Sequence, residues 1–135
     1  MMATTVHAVS VLAFMGVSFA AQGLSHFMVN KDHFAAISYL RENPIIPMVL
    51  AAMVIQGLII SVALRAWRGR DATIENGFAI AAAFGVFLIA YIALVEPAKY
   101  EVPNIFAWIR VEAFVGLVQF SVFGVLLGLI HSKLG

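Results

Sequence analysis

The chain has 135 residues, 63% of them hydrophobic and only 11% charged, with a mean hydropathy of +1.00 and a formal net charge of +1. A soluble domain of this size has no way to hide so much apolar surface. The absence of cysteine excludes disulfides, thiolate metal sites and dithiol redox motifs.

Charge placement is more decisive than charge content. The eight basic and seven acidic residues fall into four short sections, which leaves charge-free runs at 1–30, 43–64, 76–95 and 113–132. About 20 apolar residues rising ~1.5 Å each cross a hydrocarbon core ~30 Å thick. In hydrocarbon each backbone N–H and C=O must find a partner within its own segment, so such runs are helices unless they close a barrel, and barrel strands alternate apolar and polar residues as these runs do not. The pattern predicts an all-α integral membrane four-helix bundle, a single domain over 1–135, with helices near 6–28, 45–66, 77–95 and 106–130.

The first predicted helix has no Lys or Arg near its start and outlasts a signal-peptide apolar core, so it reads as a retained span. His7, Val11, Phe14, Ser18, Gln22, Ser25 and His26 recur on steps of three and four, a polar stripe that should face protein rather than lipid. The connection at 30–44 carries Phe34, Ile37 and Leu40 at helical spacing among Lys31, Asp32, His33, Arg41 and Glu42, as an amphipathic turn lying in the interface would. Pro44 and Pro47 then restart the chain as the second helix.

The second connection concentrates Arg65, Arg68 and Arg70, followed by Asp71 and Glu75, where acidic residues suit the start of the third helix. This basic anchor would also attract anionic lipid headgroups, at about 1 kcal/mol per residue. A nucleic-acid partner has no support. The third connection is fenced by Pro97 and Pro103, with Tyr100, Phe106 and Trp108 where an aromatic belt belongs and Trp67 at the opposite interface. Basic residues on the two sides tie, Arg65, Arg68, Arg70 and Lys133 against Lys31, Arg41, Lys99 and Arg110. The density of the arginine cluster decides the orientation: both termini cytoplasmic, in a bacterial inner membrane.

Small residues mark faces where helices can approach closely: Gly16 and Ala20, the run at 79–85, and the GxxxG pair Gly124 and Gly128. They motivate the first functional expectation, a non-enzymatic bundle that joins copies of itself or other membrane subunits, with membrane lipids as its surroundings. Ionisable and amide side chains inside the spans motivate the second. Gln56 and Gln119 lie near the midplane and Glu112 two turns from Gln119, so with Gln22 and His26 they could line a polar pocket for a small solute or a proton. Interhelical hydrogen bonding is the plainer role for the glutamines.

Glu96, Lys99, Glu101 and Arg110 share the outer depth and form a candidate ion-pair cluster. A third expectation is a haem or metal redox protein, with His7 and His131 as a bis-histidine pair, or His26, Asp32, His33 and Glu96 as an outer metal site. No metal motif matches that spacing, and no phosphate loop, zincin motif, nucleophile elbow or paired catalytic carboxylates occur, so an enzyme has no support. In size and layout the chain resembles bacterial inner-membrane families such as the small multidrug exporters. Those carry a membrane-embedded glutamate in the first helix, and the first helix here has no acidic residue, so their activity does not transfer.

Overall fold

In the computed structural model, which describes residues 2–135, helices and short turns account for the whole architecture. Helix α1 (Met2–Leu24) runs on through a π-helical turn, Ser25–Val29, and a short α2 (Lys31–Ala35) follows. Helix α3 spans Ile46–Arg68; α4 (Ile74–Ala90) continues through a second π-helical turn, Tyr91–Val95, into α5 (Glu96–Lys99); and α6 spans Ile105–Leu134. Four helical rods, Ala3–Val29, Ile46–Arg68, Ile74–Lys99 and Ile105–Leu134, are long and apolar enough to cross a membrane. The chain is a multi-pass, all-helical bundle of the expected class.

The last three rods run past the ends of their charge-free stretches because charged side chains at a span's end reach toward the headgroups without ending the helix. Arg65 and Arg68 lie in the last turn of α3, and Lys133 lies in the last turn of α6. The start of α4 is fixed by a reciprocal cap: Thr73 Oγ1 accepts from the Asn76 N–H and Asn76 Oδ1 accepts from the Thr73 N–H. Asn104 caps α6 by accepting from the Ala107 N–H. Helix α3 ends on Gly69, whose φ of 59° is the left-handed conformation that glycine adopts without strain.

Antiparallel neighbours place α1 against α3 and α6, and α6 against α4; α3 and α4 touch sparsely. The α4–α6 seam is the closest approach. A Cβ on Gly77 or Gly128 would collide with the backbone of the opposite helix, and one on Gly124 would stand 2.8 Å from Phe78 Cα. The expected GxxxG face of α6 is therefore occupied inside the chain, by Gly77 and Ala81 of α4. On the outer face of α1, by contrast, nothing lies within 4 Å of a Cβ placed on Gly16.

The predicted inward stripe of the first helix is the one observed, with Phe14, Ser18 and Ser25 buried. Phe14 meets Phe120 and Phe123 with ring centroids 5.8 and 4.9 Å apart, and Met53, Ile60, Leu64 and Leu127 complete the core. Trp108 departs from the expected belt: it is only 6% exposed, whereas Phe106 is 82% exposed. The cause lies in α4. Glu96 N–H bonds back to Tyr91 O across the π-helical turn, and Pro97 has no N–H, so the Ile92 carbonyl has no donor from its own helix. Trp108 turns inward and donates its indole N–H to that carbonyl at 2.8 Å.

Candidate functional site

The polar side chains of the spans gather at three depths. At the end shared by both termini and the α3–α4 connection, Ser61 Oγ lies 2.8 Å from His7 Nδ1 and 2.9 Å from His131 Nε2, joining α1, α3 and α6. Ser61 and His131 are buried, and His131 Nδ1 has no partner. The single hydroxyl occupies the space between the two nitrogens, so these histidines are aimed at serine rather than at a shared void that could take a haem iron. Nothing in the sequence reading singled out Ser61. Its available signal was a hydroxyl on the same helical face as Met53, Gly57 and Leu64, in an otherwise apolar run.

At mid-depth a cavity of about 270 Å³ opens among all four rods. Ser18 and Gln22 come from α1, Gln56 from α3, and Glu112, Gly116 and Gln119 from α6, with Leu88, Ile89 and Ile92 forming the wall toward α4. Its polar groups divide in two. Gln119 is 7% exposed; its Oε1 accepts from Gln22 Nε2 at 2.8 Å and its Nε2 donates to Ser18 Oγ at 2.9 Å, a tie between α6 and α1. Gln56 and Glu112 have no hydrogen-bond or ion-pair partner among the described residues, although both line the same space.

Phe120 forms the inner floor of this cavity, with Phe14 beyond it. Toward the end away from the termini lies Trp108, one turn before Glu112 and bonded to the wall residue Ile92. The His33 ring lies 6.3 Å from the Trp108 ring. Among the five residues expected to share a pocket, Gln22, Gln56, Glu112 and Gln119 do so. His26 sits outside the cavity: its Nδ1–H donates to Gln22 O at 2.9 Å, and its ring stacks on Phe34 at 3.6 Å.

The outer surface is organised by aromatic rings. Lys99 donates to Tyr91 Oη at 2.7 Å, and its ammonium lies 5.1 and 5.2 Å from the centres of the Tyr91 and Tyr100 rings. Among the described residues, no ion pair joins Glu96, Lys99, Glu101 and Arg110. His33, in the first connection, has an enclosed Nε2 without a partner; burial, with the Arg110 charge second, lowers its pKa below the usual 6.5. No three His, Asp or Glu side chains converge to hold a metal among the described residues, so His26, Asp32, His33 and Glu96 do not form such a group. Arg65 and Arg68 end α3 and Arg70 follows Gly69; the Arg68 guanidinium sits over the Trp67 ring at 5.6 Å.

Compared with protein-family models, curated proteins and solved structures, the chain matches none.

Proposed function

We propose that this protein holds a small hydrogen-bonding solute, or a proton passed with it, in the cavity between its four spans, with Glu112 and Gln56 as the groups that contact the cargo. The supporting observation is the division of the cavity wall. A carboxyl and an amide placed in hydrocarbon are costly unless they have a task. Here the neighbouring Gln119 amide is bonded to both Gln22 and Ser18, while the Glu112 and Gln56 side chains face open space. Were interhelical bonding their whole role, they too would be paired across the bundle. Side chains supply binding and proton acceptance, as a small carrier needs.

The reading includes a bacterial inner-membrane location with both termini cytoplasmic, supported by the three arginines that end α3 and follow it. In proteoliposomes with a trapped pH-sensitive dye, Glu112→Gln is expected to slow proton flux. Unchanged flux would remove the carboxyl from the path. Native mass spectrometry of protein released from its own membranes should also show a bound small molecule that the Gln56→Leu, Glu112→Gln double variant loses.

A second reading, a subunit that joins copies of itself or another membrane protein, keeps one specific support. Leu12 is 67% exposed beside the uncovered Gly16 on the outer face of α1. Because the chain has no cysteine, Gly16→Cys is a clean probe, and an oxidised dimer across that face is the expected product.

A further inference from the structure

We infer that the cargo of this cavity is an amphiphile that reaches it sideways from the bilayer, its hydrogen-bonding head at Glu112 and Gln56 and its apolar tail in the gap between α3 and α4. The inference rests on the reading of the cavity as a binding site and names the class of its ligand and the route that ligand takes.

Three sides of the cavity carry packed side chains. The inner floor is Phe120, packed on Phe14 within the core. On the α6 flank Gly116 receives the Ile89 side chain of α4, and further inward Gly85 receives the Phe120 ring, so that seam leaves no passage. Toward the end away from the termini, Trp108 is buried one turn from Glu112 and bonded to the wall residue Ile92, with the His33 ring of the first connection 6.3 Å away.

The fourth boundary is different. A second void of about 150 Å³ lies between Ile59 and Ile60 of α3 and Phe84 and Phe87 of α4, and it shares Gln56, Leu88 and Phe120 with the polar cavity. Gln56, Leu88 and Phe120 are therefore the side chains that separate the two spaces. At the outside of this gap Ile59 is 50% exposed and Phe87 is 82% exposed, on a surface that faces lipid when the four rods span a membrane. A molecule moving inward from the hydrocarbon meets apolar walls first, then one amide, then one carboxyl. That sequence suits a long apolar body that ends in a hydroxyl or carbonyl head. A free polar solute would have to leave water for hydrocarbon before it met any hydrogen-bonding group, which strongly disfavours that path.

Two carbodiimides test the route, because both add covalently to carboxyl groups but partition oppositely. With the full chain in phosphatidylcholine vesicles, lipid-soluble dicyclohexylcarbodiimide is expected to label Glu112 and a water-soluble carbodiimide to leave it unlabelled, as located by peptide mass mapping. Hexadecanol should protect Glu112 several-fold, whereas hexadecane, with the same chain and no head, should not. Ile59→Trp, which fills the gap, should slow labelling several-fold, while Ile55→Trp, on the lipid-facing surface of α3, should not. The wild-type comparison of the two reagents decides even if the tryptophan variants fail to fold. Equal labelling by the water-soluble reagent, or equal protection by hexadecane, overturns the sideways amphiphile and leaves the cavity reading standing. Absence of labelling by either reagent overturns both.

Discussion

Two seams of one bundle are built on opposite plans. Between α4 and α6, glycines bring the backbones into contact and exclude everything else. Between α3 and α4, joined by only a short connection, the rods touch sparsely and leave a void that shares Gln56, Leu88 and Phe120 with the polar cavity. In lipid no hydrophobic force favours one apolar contact over another, so close approach of small residues is a principal source of helix affinity. The closed seam therefore serves as the frame, and the open one, lacking glycine-to-backbone contact, is free to serve access.

The largest perturbation is expected where the frame is tightest. Gly128→Leu should cost about 3 kcal/mol or more, the upper end for overpacking, because the side chain would have to displace the backbone at Ile74. The same change at Gly16, where a Cβ meets nothing within 4 Å, should leave the thermal midpoint in detergent almost unmoved. Similar losses at both positions would erase the distinction between frame and surface.

A smaller contrast sharpens the division of the cavity wall. Gln119→Leu removes both bonds to α1 and should destabilise by about 1–2 kcal/mol, given that interhelical bonds in membranes average ~0.6 kcal/mol and reach ~1.7. Gln56→Leu removes no bond and should leave stability level or raised while weakening cargo binding. Equal destabilisation by both would mean that Gln56 is structural after all.

The smallest expected effect lies at the outer end, in the first connection. Because the folded protein holds the His33 pKa below its ordinary 6.5, the unfolded chain binds the proton more readily than the folded one. Its contribution to stability is thus full above pH 6.5 and declines as pH falls below that value. His33→Gln should flatten this part of the pH profile of the thermal midpoint, and a variant profile as steep as the parent's would assign the dependence to other groups.

Much of this molecule was readable one residue at a time. The four spans followed from charge-free lengths, and the inward face of α1 followed from the spacing of Phe14, Ser18, Gln22 and Ser25. The helix ends extend past the charged residues that bound the apolar runs, and Thr73 with Asn76 encodes the cap that starts α4. The inward turn of Trp108 has no local sequence signal, since it answers the Ile92 carbonyl, sixteen residues earlier in the chain and left without a donor by Pro97.

What the sequence determined by itself is the number of crossings and the helical state, because hydrocarbon accepts backbone only when its hydrogen bonds close within each segment. Away from the polar stripe of α1 and the small-residue faces, which apolar face meets protein and which meets lipid was decided by tertiary structure, since both environments are equally apolar and hydropathy cannot separate them. The same holds for the glutamines: Gln22, Gln56 and Gln119 are chemically identical in sequence. Only their depth and rotation about three different rods tie two of them together and leave the third beside Glu112.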